Sequence, residues 1–346
     1  MKLSRILTVL AAASVASFGH WSVAQAEQLK VVSSFSIIGD LVKNVGGEHV
    51  VVSNLAGHDV DLHHFEPKPS DVKKLTPAEG AKLLFINGLE LEPWAERLKQ
   101  SSGFKGETVV VSEGIKPLKF DDIHHDHDHD HDHDHEHEHD HKHDHEHDHD
   151  HAHEDDHHHE HEHDHHEHDG HNHGEWDPHA WQNPQNAVIY VDNILNALKK
   201  ADPANATSYE ANAEQYLAQI KQLDAEIKKA FAALTKEQRR FGTNHEAFAY
   251  FAEAYDLTQI PVTGVSGGEP SAAQVAAVSK RLKQEGVRAV FFENTTNNRL
   301  IEQVAHDAGV KVGGTLVADA LEKEGEGASY LGMIKKNADT LLDALK

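Results

Sequence analysis

The chain has 346 residues, a length that allows one large domain or two of ordinary size. Its formal net charge of −26 is concentrated in residues 124–173, which hold 26 histidines, 20 acidic residues and one lysine and account for −19 of it. The remaining charge of −7 argues against a nucleic-acid partner, which would require a basic stripe. There is no cysteine, so disulfides, thiolate metal sites and a lipidated cysteine are all excluded.

The first 26 residues have the three parts of a secretory signal peptide. Lys2 and Arg5 precede an apolar stretch at 6–18, and an Ala-Gln-Ala triplet ends at Ala26. The apolar stretch is shorter than the ~20 residues that a membrane-spanning helix needs, and no later stretch is long enough either. The sequence therefore predicts cleavage before Glu27 and export, most simply to a bacterial periplasm.

Residues 27–123 alternate short β-branched apolar runs with helical patterns. Strands are predicted at 29–32, 50–52, 82–86 and 108–111, and helices at 37–45, 70–75 (with Ser70 as N-cap) and 92–100. This βαβ alternation favours a mainly parallel sheet that is covered on both faces. We expect it to form an N-terminal lobe.

The segment at 124–173 consists mostly of alternating His-Asp and His-Glu pairs. It has almost no apolar side chain to bury against the ~1–2 kcal/mol per residue that backbone ordering costs, so we predict a disordered loop. Neighbouring imidazoles and carboxylates suit zinc, copper or nickel, and such an array should bind several divalent ions loosely. The alternative is a solvated charge run that only keeps the protein in solution.

The chain after this loop is predicted to complete the first lobe and to form a second. Residues 174–201 contain a helix that Asn183 and Pro184 open, and residues 202–236 have apolar residues every three or four positions. The latter predict one helix of ~30 residues, ~45 Å long, that braces the lobes. Within 237–346, strands are predicted at 240–243, 258–262, 288–292 and 311–316, and helices at 246–255, 271–285, 298–308 and 329–345.

The predicted fold is therefore α/β, with two Rossmann-like (β/α)4 lobes joined by one long rigid helix and a disordered His-rich insertion. Four short stretches place metal-ligand residue types after predicted strands or in loops, where ligands bind in open α/β sheets. They are GHDVDLHHFEP at 57–67, DPHAW at 177–181, TNHEAF at 243–248 and VADAL at 317–321. Each stretch alone is a weak signal, because a single loop histidine is more often a surface or hydrogen-bonded residue.

The order of these stretches, with a His-rich insertion and a long helix between them, resembles the periplasmic ZnuA-like zinc-binding proteins of ABC importers. That family is related to manganese-binding lipoproteins. The resemblance covers the mature chain and is most specific in the H-x-F-E-P motif, which starts at His63, and in the DPHAW motif. It implies four metal ligands, which fall on His63, His179, His245 and Asp319. In this family the third ligand is His in zinc binders and Glu in typical manganese binders, so His245 favours zinc.

Three imidazoles and one carboxylate would give Zn²⁺ a tetrahedral shell at ~2.0–2.2 Å, whereas manganese prefers more oxygen ligands. The crowded first motif leaves open a ligand exchange with His64 or His58, or a supporting role for Asp61. In some zinc-binding relatives water or a loop residue replaces the carboxylate at the position of Asp319. We interpret His49 and His306 as structural residues. We interpret Glu66, Glu246 and Trp181 as residues that support the ligands or pack in the core.

The function that this resemblance implies is capture of Zn²⁺, the transported ligand, and its delivery to a membrane ABC permease by a monomeric protein. Two other functions stay open: a manganese-type importer component, and a periplasmic zinc store or chaperone acting through the His-rich loop. A zinc hydrolase is disfavoured, because Glu246 could serve as a base but there is no HExxH helix and four protein ligands leave no open position. We therefore predict that the protein is not an enzyme.

Overall fold

A computed structural model of the protein describes residues 27–119, 175–263 and 270–346. The predicted signal peptide at 1–26 and the predicted disordered loop at 124–173 lie outside the described residues. Among the residues described, no helix combines the length and the apolar character that crossing a membrane requires.

The first lobe is built on four parallel strands, β1 (Leu29–Phe35), β2 (Val50–Ala56), β3 (Leu83–Ile86) and β4 (Glu107–Val110), in the order β2-β1-β3-β4. Its helices are α1 (Ser36–Gly46), α2 (Pro69–Lys74), α3 (Ala95–Ser102) and α4 (Pro184–Ala201). The sheet is covered on both faces, since the successive residues Val31 and Val32 are buried in different apolar clusters.

Helix α5 (Ala206–Phe231) follows and packs against both halves of the molecule. Its buried residues recur at the predicted spacing of three or four positions and are Tyr209, Ala213, Tyr216, Ile220, Ile227 and Phe231. The helix has 26 residues, or about 39 Å, and is shorter than predicted. At its start, Pro203–Asn205 form a separate 3-10 turn and Asp202 accepts hydrogen bonds from the side chains of Asn205 and Tyr209. At its end, the helix stops at Phe231 rather than 236, and the Arg239 guanidinium donates to the carbonyls of Phe231 and Leu234.

The second lobe repeats the architecture of the first. Its parallel strands are β5 (Arg240–Thr243), β6 (Thr258–Pro261), β7 (Ala289–Glu293) and β8 (Lys311–Leu316), in the order β6-β5-β7-β8. Its helices are α6 (Ala249–Tyr255), α7 (Ala272–Gln284), α8 (Arg299–Ala308) and α9 (Tyr330–Leu345). The prediction of two parallel-sheet α/β lobes is confirmed.

One apolar cluster joins the two lobes. It contains Phe35 and Phe85 from the first sheet, Phe241 and Phe291 from the second, and the buried face of α5. Helix α5 contacts α1 and α4 on one side and α6 and α9 on the other. The lobes therefore share a continuous core, which resists their separation as rigid bodies.

Two helix starts differ from the prediction in the first lobe. Helix α2 begins at Pro69 and is capped by Lys68 rather than Ser70, because Asp71 accepts a hydrogen bond from the backbone N–H of Lys68. Helix α3 begins at Ala95 rather than Glu92, because the Glu92 carboxylate accepts hydrogen bonds from the backbone N–H groups of Asn87 and Gly88. The Asp71 carboxylate thus caps the start of α2, whereas the Glu92 carboxylate stabilises a turn before α3.

Candidate metal centre

The structure brings together the four residues that the motifs singled out. His63 follows β2, His179 lies in the loop before α4, His245 follows β5 and Asp319 follows β8. One side-chain nitrogen or oxygen from each of the four lies within 4.8 Å of the others. Because three of these positions follow the carboxyl ends of parallel strands, both lobes contribute to one crevice.

The spacing of these atoms suits a single small ion. The Nε2 atoms of His63 and His179 are 3.1 Å apart. Oδ1 of Asp319 lies 3.4 Å from Nε2 of His179, and Oδ2 of Asp319 lies 3.5 Å from Nε2 of His245. Ligands at ~2.0–2.1 Å from a tetrahedral zinc ion would be about 3.3 Å from one another. His179, His245 and Asp319 are each at most 1% exposed, whereas His63 is only partly buried.

Carboxylates behind two of the imidazoles orient them toward the centre. The side chain of Asp177 lies 2.7 Å from Nδ1 of His179 and also accepts the backbone N–H of that residue. Glu293 makes the same pair of contacts with Nδ1 and the backbone N–H of His245. With each Nδ1–H donated to a carboxylate, the Nε2 lone pair is left facing the other ligands.

The loop that carries Asp319 is held by residues of the first lobe. Trp181 Nε1 and Gln182 Nε2 donate to the Ala318 carbonyl at 3.0 and 2.9 Å, and the backbone N–H of Leu321 donates to the Ser36 hydroxyl. The DPHAW segment therefore supplies one candidate ligand and also positions the loop of another. Trp181 in addition lies with its ring centroid 5.3 Å from that of His179.

Several atoms at the centre are buried and lack hydrogen-bond partners within the described part of the chain. They are both carboxylate oxygens of Asp319 and Nε2 of His245. Buried polar atoms are almost always hydrogen-bonded, because leaving them unpaired is costly. Two carboxylate oxygens and an imidazole nitrogen without partners at one point indicate a place for a cation.

The charges at the centre shift the pKa values of its residues strongly. Burial by itself would lower the pKa of His179, but the carboxylates of Asp177 and Asp319 outweigh burial and raise that pKa to about 9. Burial likewise opposes the rise in the pKa of His245, which Glu293 and Asp319 hold well above its usual value. Burial would raise the pKa of Asp319, yet His245 and His179 keep it well below its usual range. His179 and His245 are therefore protonated near neutral pH when no metal is bound.

The three accessory candidates of the first motif have different positions. Asp61 accepts the backbone N–H of His63 at 2.9 Å and pairs through its other oxygen with the ring of His64. The His64 side chain is 66% exposed, and His58 is also exposed. Asp61 thus supports the backbone of a candidate ligand, while His58 and His64 lie outside the cluster of four donors.

Sequence reasoning missed Glu293 and gave no role to Asp177. A signal for Glu293 was present, because it ends β7 in the same way as the other candidates follow their strands. Of the histidines that the structure describes outside the motifs, His49 and His306 take no part in the cluster of four.

Comparisons with known proteins identify the family of the chain. A sequence profile described as "Zinc-uptake complex component A periplasmic" (ZnuA) matches residues 31–344. The chain is 29% identical over 321 residues to the manganese-binding lipoprotein MntA of Halalkalibacterium halodurans, covering 92% of this chain and 89% of that one. It is 32% identical over 346 residues to the zinc-binding protein AdcA of Streptococcus pyogenes serotype M3, covering 97% and 61%.

The structure also resembles solved ones in fold. The periplasmic zinc binding protein TroA of Treponema pallidum matches with a TM-score of 0.72 at 24% identity, covering 92% of this chain and 99% of that one.

Proposed function

Because the chain belongs to the ZnuA family of periplasmic zinc-uptake components, we propose that it captures Zn²⁺ in the periplasm and delivers the ion to a membrane ABC permease. Members of this family are metal-binding substrate-binding proteins of ABC importers and not enzymes. The finer assignment to zinc, and the ligand set His63, His179, His245 and Asp319, are proposals.

The observation that supports zinc is the set of donor atoms. Three imidazole nitrogens and one carboxylate oxygen lie within 4.8 Å of one another, a donor set that suits tetrahedral zinc, and two of the imidazoles are fixed by carboxylates behind them. Manganese favours sites with more oxygen ligands and higher coordination numbers. Since MntA is named for manganese and AdcA for zinc, the names of relatives leave the metal open and the donor set carries the choice.

We propose that the ion reaches the centre past His63. Of the four candidate ligands this is the one that is only partly buried, and it lies on the loop that follows β2. The other three are held by the shared core and by hydrogen bonds between the lobes. Binding and release would then change the loop around His63 more than the angle between the lobes.

The His-rich loop at 124–173 is proposed as an accessory that raises the zinc concentration beside the centre. The described residues that flank it lie close together, since Lys119 and Trp176 form an antiparallel bridge. The backbone N–H of Asp177, whose side chain orients His179, donates to the Leu118 carbonyl. The Tyr250 hydroxyl accepts the backbone N–H of Leu118 and donates to the Asp177 carbonyl, so it bonds to both flanking segments. Export through a signal peptide and a monomeric state remain part of the same proposal.

Zinc binding is expected to release about two protons at pH 7.5. His179, with its pKa raised to about 9, and His245, with its pKa also raised, are protonated in the metal-free protein, and zinc binds only neutral imidazole. Calorimetric titrations in two buffers of different ionisation enthalpy measure this release, and the apparent affinity should increase with pH up to about 9. Asp177→Asn should reduce the release, because it removes the main charge that raises the pKa of His179. Zinc binding without proton release would contradict these ligands.

A further inference from the structure

A cavity of about 580 Å³ adjoins the candidate centre, and its wall includes His63, His245 and Asp319. A single ion needs only the space between four donors that lie within 4.8 Å of one another. The larger volume falls in the range of ~300–1,000 Å³ that is typical of small-molecule pockets. The site therefore has room for a molecule beside the ion.

The wall of this cavity also carries polar atoms that have no hydrogen-bond partner. Asn244 is 5% exposed, and its Oδ1 has no hydrogen bond within the described ranges. The hydroxyl oxygens of Thr295 and Thr296, in the same wall, are also buried and unpaired there. Because buried polar atoms are normally hydrogen-bonded, these three indicate a polar ligand.

One positive charge, on Arg299, lies in a cavity wall that also includes the carboxylates of Asp61 and Asp319. The first turn of α8, a helix of ten residues, contributes Arg299 and Leu300, and its N-cap Asn298 makes no side-chain hydrogen bond to the helix. A helix N-terminus of this kind attracts anions. The guanidinium of Arg299 has neither an ion pair nor a hydrogen bond to any residue that the structure describes. The cavity thus joins a metal centre to a site for a carboxylate.

We infer that the cavity binds the anionic part of a zinc complex with a small hydroxycarboxylate, so that zinc passes to the protein directly from such a chelator. This inference rests on the proposed zinc site. Arg299 would pair with a carboxylate of the chelator, and the hydroxyls of Thr295 and Thr296 would donate to its other carboxylate oxygens. Oδ1 of Asn244 would accept a hydrogen bond from the chelator's hydroxyl.

The transfer is a ligand exchange that leaves the chelator intact. Zinc leaves the oxygen atoms of the chelator and binds Nε2 of His63, His179 and His245 and an oxygen of Asp319. The protons of the imidazoles pass to solvent, and the chelator departs as the free anion. No oxidant or reductant is required.

Stopped-flow measurement of zinc uptake from zinc citrate tests this inference on the full-length mature chain. The signal is tryptophan fluorescence, to which Trp181 contributes from beside His179. The total concentrations of citrate and zinc are increased together so that the concentration of free zinc stays constant. The expected uptake rate still increases with the concentration of the zinc–citrate complex and then saturates. Arg299→Gln should lower this rate by about tenfold or more, the effect of one charge-assisted hydrogen bond, and leave the equilibrium affinity for free zinc within about twofold.

Arg281→Gln is the matched control, because Arg281 pairs with Glu285 and is absent from the cavity wall among the described residues. It should take up zinc from citrate at the unmodified rate. A rate that follows free zinc alone, or an equal loss in both arginine variants, would overturn the inference while leaving the zinc site intact. Zinc affinity that does not depend on His179 would overturn the proposed function as well.

Discussion

Replacing His179 by alanine is expected to abolish tight zinc binding, with a loss greater than the ~10–100-fold that follows removal of a partner behind a ligand. The side chain is fully buried, and its Nε2 lies 3.1 Å from that of His63 and 3.4 Å from Asp319. The variant would also leave Asp177 buried without its imidazole partner. Competition titration against a zinc-binding dye measures the loss, using protein without residues 124–173 so that the His-rich loop does not mask it.

His64→Ala is the control for this prediction. His64 is adjacent in sequence to the candidate ligand His63, but its side chain is 66% exposed and pairs with Asp61 outside the cluster. Its replacement should change zinc affinity by less than about threefold, since an exposed pair contributes at most ~1 kcal/mol. Equal losses from His64→Ala and His179→Ala would mean that the geometry does not identify the ligands.

Replacing His245 by glutamate is expected to shift the preference from zinc toward manganese, because it exchanges a nitrogen donor for oxygen. The single change should weaken binding of both metals, since the new carboxylate would face Glu293, which is fully buried behind His245. The second change Glu293→Gln removes that repulsion and supplies an amide donor. In the double variant we expect the ratio of zinc to manganese affinity to decrease by about 100-fold, the upper end of the effect of supporting partners.

Titration of each variant with both metals measures this ratio. Glu293→Gln alone serves as the control, because it weakens the support of His245 without changing the donor atoms. It should lower zinc affinity but leave zinc preferred over manganese. An unchanged ratio in the double variant would show that the residue at position 245 does not select the metal.

The fold was predictable where short-range patterns determine it. Strand β5 and strand β8 have the predicted bounds, since each is a short run flanked by turn residues. As predicted, Asn183 and Pro184 open α4: the Asn183 side chain accepts the backbone N–H of Gln185, and Pro184 is the first helical residue. The start of α5 was missed because the bonds that Asp202 accepts from Asn205 and Tyr209 compete with the helix.

The four candidate ligands were found by motif and resemblance, but their support depends on strand order. Glu293 is 48 residues from His245, and the two meet because β5 pairs with β7 so that Thr243 lies opposite Phe291. Two residues further along both strands, the carboxylate faces the imidazole. Nothing local to either motif encodes this register. For the same reason, the crowding of histidines in the first motif could not by itself distinguish the candidate ligand His63 from His58 and His64.

The most direct test of the zinc proposal is calorimetric titration of the mature chain without residues 124–173, with zinc and with manganese. The bridge between Lys119 and Trp176 holds the two ends of the deletion together, so a short linker can replace the loop. The geometry predicts one tight zinc site per chain that manganese does not displace. Absence of a tight site would move the function to the His-rich loop, and a preference for manganese would contradict the assignment of zinc as the transported ion.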